Sequence, residues 1–403
     1  MADAIITPDI IAKEALMQLE NNIVMGNLVH REYKKEFVKV GATVEVRKPV
    51  KFSVTDGATR NNQDVQEAST PFTIDKRKHV SWDFNTQDLT LSIEQYSERY
   101  IQPAMIALAN QVDSDLLNLY RNVSQYVGTA GTTPSTFANL GAPAVRLDKG
   151  AVPSEDRRLV LDPSAAFNVS DMLKSLYNPE LVKGAIRGKS MGPIAGLQTY
   201  MDQNVKTHTP GTWGATPLVK GAAQNVTYAA AAHTYGSTSQ TLLVDGFTVT
   251  TGTAKAGDRF TLAGVYAINP VSKAALSTLQ EFVVQVDATA DGSGNASLVI
   301  SPAIITSGAF QTVSAVPADN AVITPVITPY VANLAFHKNA FGLVTVPLAM
   351  PDGANWKARE SHNGYSVRVV KDYDIENDVD IIRLDILYGV KALYPELASL
   401  LLG

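Results

Sequence analysis

LSIEQYSERYIQPAMIALANQVDSDLLNLYRNVSQYVG, residues 91–128, decides how the rest of the chain is read. Apolar positions recur through it at spacings of three and four: Ile93, Tyr96, Tyr100, Ile101, Met105, Leu108, Val112, Leu116, Leu119, Val123 and Tyr126. That period marks one face of a helix. Ser92, with Gln95 three residues on, can form a capping box. Gly128 can take the left-handed conformation that stops a helix. One helix over 91–128 is predicted, against a usual length of ~11–12 residues, with a bend or break at Pro103. Its outward positions mix acids and bases: Glu94, Glu98, Arg99, Asp113, Asp115 and Arg121.

Upstream, Thr7-Pro8-Asp9 reads as a helix start, with threonine as cap and proline at the first position. Ile6 and Ile11 are spaced for a hydrophobic staple. The helix runs to about residue 22 and carries Asp9, Glu14 and Glu20. Residues 31–54 are basic, with Arg31, Lys34, Lys35, Lys39, Arg47, Lys48 and Lys51. Val44, Val46, Val50, Phe52 and Val54 mark two short strands on either side of Pro49. Phe72, Ile74, Val80, Trp82 and Phe84 suggest returning strands, with 75–79 between them. A two-stranded ribbon is marginal in water by itself, so this excursion is expected to lie on another surface, such as a second copy of the chain.

Downstream, a Gly/Thr/Pro/Ala-rich connection leads to Pro143. Residues 157–161 read as a buried strand, 164–177 as a helix, 178–196 as an exposed loop and 197–201 as a strand. From 207 to 328 the chain is dominated by Ala, Thr, Val, Gly and Ser. Alternating runs at 241–250, 259–267, 281–288, 296–300 and 321–327 predict a small all-β barrel or sandwich. Charged α/β-type sequence resumes afterwards, with strands at 333–337, 341–346, 367–370 and 381–388, so the β-rich stretch is an insert. Residues 395–402 read as a terminal tail.

Composition and motif spacing exclude most chemistry. The 403 residues are 45% hydrophobic and 18% charged, which describes globular protein of two or more domains. A net charge of −5 provides no global basic surface for nucleic acid. No cysteine is present, so disulfides, thiol catalysis and cysteine–zinc sites are excluded. No apolar run is long enough to span a membrane, and the opening residues lack the regions of a signal peptide; a soluble intracellular protein is expected. Gly188-Lys189-Ser190 lacks the upstream glycine of a phosphate loop, since Lys183 stands there. His30, His79, His208, His233, His337 and His362 show no metal-ligand spacing. There is no Gly-x-Ser-x-Gly elbow, and Asp291-Gly292-Ser293-Gly294-Asn295 lacks the carboxylates of a calcium loop. No catalytic residue, metal or cofactor is expected. The basic segment 34–51 and residues 75–79 are each read as a solvated charged face or as a contact with phosphate or an acidic neighbouring subunit.

Several stretches carry a resemblance. Residues 73–80 (TIDKRKHV) precede 89–92 (LTLS) and 106–111 (IALANQ); within the insert stands GDRFTLAGV, 257–265; near the end stands RLDILYGV, 383–390. In this order they resemble the major capsid proteins of tailed double-stranded DNA phages with the Hong Kong 97-type fold. The nearer likeness is to the coat proteins of the short-tailed Salmonella phage type, which carry an extra β-barrel insertion domain.

The resemblance implies an α+β, Hong Kong 97-like capsid fold: a long spine helix, an extended β-hairpin E-loop and a mixed α/β axial domain, with an inserted all-β barrel. It implies an N-terminal arm (1–40), an E-loop with flanking strands (41–84) and a peripheral domain (85–144) with its spine helix at 91–128. Residues 145–206 and 329–385 would form the axial domain and hinge strands, 207–328 the inserted barrel, and 386–403 the C-terminal strand and tail. The implied function is an icosahedral shell around a phage genome, built through a scaffolded procapsid in the host cytoplasm. The implied partners are the chain itself in hexamers and pentamers, a scaffolding protein, a portal protein, packaged double-stranded DNA and a decoration protein. Arg47, Lys48, Lys51, Asp56, Arg60, Asp64 and Glu67 would make the contacts of the E-loop with neighbouring copies, and Asp9, Glu14 and Glu20 would meet a basic scaffold segment. Some relatives crosslink lysine to asparagine; Lys48 or Lys51 with Asn61 or Asn62 sit in that region, but non-covalent assembly is favoured. Two other readings stand beside this one: a nanocompartment shell of the same fold that packages an enzyme, and a β-rich carbohydrate-binding protein. The latter calls for clustered exposed aromatics, and the insert has few (Tyr228, Tyr235, Phe247, Phe260, Tyr266, Phe282, Phe310).

Overall fold

In a computed structural model, the chain is described at residues 8–33, 43–52, 54, 57–58, 60, 62, 69–85, 97–174, 192–214, 216–227, 239–354, 356–377 and 379–403. It is a mixed α/β protein with few helices and many strands, divided into two compact units.

The first unit comprises Met1–Val44, Phe72–Leu116 and Gly342–Lys391. Helix α1 (Pro8–Asn22) buries Ile11, Ala12, Ala15, Leu16 and Leu19 along one face, the three-and-four spacing of an amphipathic helix. That face packs on strands Trp356–His362 and Tyr365–Asp374. The longest strand, Val379–Ala392, pairs antiparallel with Tyr365–Asp374 and with Lys76–Asn85. The second pairing runs from Lys76↔Tyr388 to Asn85↔Val379. Helix α2 (Gln102–Leu117) buries Met105, Leu108, Ala109, Val112 and Leu116.

The second unit comprises Glu45–Pro71, Leu117–Phe341 and Ala392–Gly403. One of its sheets has the strand order Tyr126–Gly128, Ala398–Leu402, Tyr330–His337, Arg157–Leu161, Leu197–Met201, Pro193–Ile194. Arg157–Leu161 and Leu197–Met201 are parallel, and helix α4 (Pro163–Lys174) lies in the crossover that parallel strands require. Helix α3 (Phe137–Lys149) supplies Leu140, Ala144 and Leu147 to the same core as Leu159, Leu161, Val169 and Leu401.

A second sheet holds Ile323–Pro325, Arg259–Ile268, Ala275–Val284, Ala296–Ser301, Gln240–Asp245 and Leu218–Val219, in that order. Its two outermost strands meet, because Val219 N donates to Ala321 O at 3.0 Å and Ile323 N to Pro217 O at 3.0 Å. Alternate residues turn inward, among them Leu242, Val244, Phe260, Leu262, Leu298 and Ile300. Trp213 stacks on Phe247 with ring centroids 5.2 Å apart, and Phe260 on Phe282 at 5.6 Å.

Several expectations are corrected. The helix predicted over 91–128 does not reach 128. A π turn (Ser97–Ile101) precedes α2, a 3-10 turn (Asn118–Asn122) follows it, and Tyr126–Gly128 is a strand. That strand pairs parallel with Leu400–Leu402, so non-local pairing overrides the local helical period. The change from π to α geometry falls just before Pro103, which lacks the N–H that an α turn would donate to Arg99. The capping residues Ser92 and Gln95, the staple residue Ile6, the cap Thr7 and the Gly188–Ser190 loop lie outside the described residues.

Residues 76–79 are not a connection but the first part of the strand that pairs with Val379–Ala392. Thr43–Arg47 is a strand, but the described residues after Pro49 are not. The expected connection to Pro143 contains most of α3. Thr136 caps that helix, its side chain accepting from Asn139 N at 3.2 Å. The terminal tail is a buried strand, Ala398–Leu402, between two neighbours.

Candidate assembly surfaces

The ribbon of Thr43–Arg47 and Ser69–Thr73 obeys strand alternation: Val44 and Val46 are buried, and Thr43, Glu45 and Arg47 point out. Ser69 Oγ donates to Glu45 Oε2 at 2.7 Å across the pair. Beyond the paired part, Phe52 is 62% exposed and Val54 96%. Lys51 and Arg60 are exposed. Lys48 is buried, with its Nζ 4.1 Å from the Tyr394 ring centroid. Burial, reinforced by Lys51 and opposed by Glu396, pushes its amine down to about 6. Lys48 and Lys51 are therefore brought near each other, and both line one cavity. Asp56, Asp64 and Glu67 lie outside the described residues.

On α1, Asp9 and Glu20 share a face, about 20° apart at 3.6 residues per turn, while Glu14 points elsewhere. Glu14 accepts from Gln18 Nε2 at 3.0 Å. Glu20 accepts from the Asn363 side-chain amide and meets His362 Nδ1 at 3.1 Å. The Asn363 bond, with help from His362 and Arg31 and against the cost of burial, holds the Glu20 carboxyl below its ordinary range. At the other end of the turn that follows α1, the buried carboxylate of Asp113 caps the backbone. Val24 N donates to Oδ2 at 2.7 Å and Gly26 N to Oδ1 at 2.9 Å.

In the second unit, a buried polar cluster sits where the chain enters and leaves the β-rich stretch. Arg259 and Asp258 are adjacent and wholly buried. Arg259 Nη2 donates to Tyr120 O at 2.7 Å and Val123 O at 2.9 Å. Its Nη1 donates to Gly257 O at 2.8 Å and to the Tyr330 hydroxyl. Asp258 accepts from Trp213 Nε1 at 2.7 Å, Gly211 N at 3.0 Å and Lys255 N at 2.9 Å, and lies 2.7 Å from His208 Nε2. His208 Nδ1 is 2.8 Å from the Tyr120 hydroxyl. Burial pushes the Tyr330 phenol up to about 12 despite Arg259.

Tyr120, His208 and Asp258 thus line up hydroxyl, imidazole and carboxylate as a nucleophilic triad would. All three are buried, however, and no substrate can reach them. Buried hydrogen-bonded networks of this kind hold backbone segments in one arrangement, and here, among the described residues, only the Arg259 Nε of the guanidinium lacks a partner. A second tie is the buried Glu281, which accepts from Arg146 Nη2 at 2.9 Å and from Tyr126 N at 3.3 Å. Burial still raises its carboxyl above the ordinary range.

In the sequence, Gly257-Asp258-Arg259 stands out as a motif but not as an anchor. The one signal for the anchor is a pair of adjacent charges at the head of an otherwise apolar alternating strand. Among the described residues, no group of His, Asp and Glu is arranged to hold a metal, and no helix is long and apolar enough to cross a membrane.

The profile of the family described as P22 coat protein - gene protein 5 matches residues 4–403. No curated protein matches. A solved structure from Mycobacterium phage Che8 is 14% identical, with a TM-score of 0.48 over 94% of this chain and 90% of that one. The mature capsid of bacteriophage PhiM1 is 13% identical, with a TM-score of 0.43 over 90% and 82%. The capsid of Ralstonia phage GP4 is 8% identical, with a TM-score of 0.42 over 88% and 80%. None of these scores reaches 0.5, so the assignment rests on the sequence profile.

Proposed function

The chain belongs to the P22 coat protein family and is a phage major capsid protein, a structural subunit of the icosahedral virion shell and not an enzyme; from that premise we propose how it assembles. The fold is of the Hong Kong 97 type. The meeting of the outermost strands around the Trp213–Phe260 core supports reading 207–328 as the inserted barrel. Helix 97–122 is the described part of the spine, 41–84 the E-loop with its flanking strands, and 1–40 the inward arm. Residues 85–144 form the peripheral domain, 145–206 with 329–385 the axial domain and the returning peripheral and hinge strands, and 386–403 the C-terminal strand and tail.

One observation carries the assembly reading: the apolar residues Phe52 and Val54, just beyond the paired part of the ribbon, are left uncovered by their own chain. Exposed apolar groups on a marginal element are completed by a neighbour. Arg47, Lys51 and Arg60, with Asp56, Asp64 and Glu67 of the same excursion, supply the polar rim of that contact. Lys48 supports it from below through Tyr394. Many such contacts over a closed shell add by multivalency without covalent crosslinks.

The shell encloses double-stranded DNA and matures from a scaffolded procapsid, with a portal at one vertex and a decoration protein outside. The scaffold meets the face of α1 that carries Asp9 and Glu20, with Glu14 beside it. Negative-stain microscopy of the protein, expressed alone and with its genomic neighbours, tests the whole reading. Closed shells or tubes of uniform capsomers support it, and a strictly monomeric protein under both conditions overturns it. Charge reversal at Asp9, Glu14 and Glu20 with scaffold binding unchanged removes the scaffold assignment.

A further inference from the structure

The second unit contains a cavity of about 440 Å³. Its walls are apolar in large part, through Ile268, Pro270, Ile305 and Phe310, and Lys48, Lys51 and Glu396 also line it. Lys51 Nζ lies 5.9 Å from the Phe310 ring centroid. Lys273 joins this group from the neighbouring wall, donating to Ala309 O at 2.7 Å. Lys48 and Lys51 thus line this apolar hollow, Lys273 lies close enough beside it to feel the charge of Lys51, and Glu396 is the one carboxylate side chain among its described lining residues. The repulsion among the lysines is felt in the titration of Lys48 and Lys273, each lowered by burial and then by Lys51. The Gln125 Oε1 atom, on the same lining, is buried and accepts no hydrogen bond.

The first unit presents the complementary shape. Strands Tyr365–Asp374 and Val379–Ala392 are joined by a short turn whose crest is Ile375, 82% exposed, with Tyr373 at 51% beside it. The same end of the hairpin carries the carboxylates Asp372, Asp374, Glu376 and Asp380. Asp380 pairs with Lys371 at 3.2 Å. Donation from Asn377, and from Glu376 N, holds the Asp374 carboxyl below its ordinary range, so it stays ionised at neutral pH. The turn keeps its shape through these same bonds, Asn377 Nδ2 to Asp374 at 2.7 Å and Glu376 N to Asp374 at 3.0 Å.

We propose that the Ile375 hairpin tip of one copy seats in the lysine-rimmed cavity of another copy. Ile375 fills the apolar hollow beside Phe310, and Glu376 and Asp372 face Lys51 and Lys273. The charges on the two surfaces are opposite, which sets register and suppresses other pairings. Knob and hollow are different patches of the same chain, so the contact is heterologous and continues from copy to copy instead of ending at a dimer. That is the behaviour a shell needs, and the inference rests on the shell reading above.

The absence of cysteine makes the test direct. Two full-length proteins, Ile375→Cys and Gln311→Cys, are mixed, assembled and mildly oxidised; Gln311 lines the cavity and Ile375 is exposed, so neither change removes a core side chain. A heterodimer band on a non-reducing gel, stronger than either homodimer, is the expected result. Adding Glu376→Lys to the first protein lowers that band roughly tenfold, and adding Lys51→Glu to the second restores it. Shells that form without the heterodimer, or a band insensitive to both charge changes, overturn this contact and leave the coat reading intact. Failure of the unsubstituted chain to form shells overturns both.

Discussion

The carboxylate of Asp113, on α2, accepts a 2.9 Å hydrogen bond from the backbone N–H of Gly26. It links residues 87 positions apart and satisfies a turn that would otherwise leave two N–H groups unpaired, the buried one of Gly26 and the half-buried one of Val24. Gly26 admits no side chain: an added Cβ would lie 2.4 Å from Ile23 Cγ2 and 2.9 Å from the Tyr365 hydroxyl.

Asp113→Ala removes both acceptors and is expected to cost about 2–4 kcal/mol, because each orphaned buried donor loses its hydration without replacement. Gly26→Ala is expected to destabilise the same turn by overpacking. Urea unfolding of the unassembled subunit, followed by circular dichroism, measures both. A midpoint unchanged from the parent in either variant contradicts the assignment.

The Asp258 cluster makes a sharper prediction. Asp258→Ala strands the Trp213 indole N–H, two backbone N–H groups and His208 in a buried site, and the expected loss is about 3–5 kcal/mol. Trp213 reports on it, since its indole is bonded to that carboxylate and stacked on Phe247. Tryptophan emission is expected to shift to the red at lower denaturant than in the parent.

Asp385 contributes to acid sensitivity in the first unit. Burial alone would raise its carboxyl. Arg368 Nη2 at 2.6 Å and Arg383 Nε at 2.9 Å more than offset this, and the net shift is downward from 3.8. A depressed carboxyl contributes stability above its unfolded value, and that contribution is lost as pH falls below 3.8 toward the folded value. Asp385→Asn is therefore expected to be less stable than the parent at about pH 7, with the gap narrowing as the pH drops through this window. A gap that stays constant from about pH 7 to about pH 3 would rule out the linkage.

Phe52→Ser with Val54→Ser is expected to leave the subunit melting temperature within about 1 °C, because exposed apolar side chains contribute little to the folded monomer. The same double variant is expected to slow assembly, as read by light scattering, by at least roughly tenfold, since each uncovered side chain is worth about 1.5–3 kcal/mol when buried.

Local pattern carried a good part of this architecture. The Thr7-Pro8-Asp9 start signal marked a helix running to about residue 22, which is α1 (Pro8–Asn22), and the alternation around 259–267 marked a strand that runs Arg259–Ile268. The candidate contact residues were less legible. Lys48 reads in sequence as one more cation in a basic run, yet its burial beside Tyr394 depends on a residue 346 positions away.

The sequence by itself determined which segments have a helical or alternating period, where the Ala/Thr/Val/Gly/Ser-rich composition begins and ends, and the motif order that resembles the coat proteins. These properties follow from each residue and its near neighbours. Only the tertiary structure decided that 76–79 is strand, because its backbone partners are Leu387, Tyr388 and their neighbours more than 300 residues away. It alone made Ala398–Leu402 a buried strand between two others, and turned Asp258 and Arg259 from surface-type residues into a closed polar anchor. Strand pairing and charge burial are set by long-range partners whose identity no local period encodes.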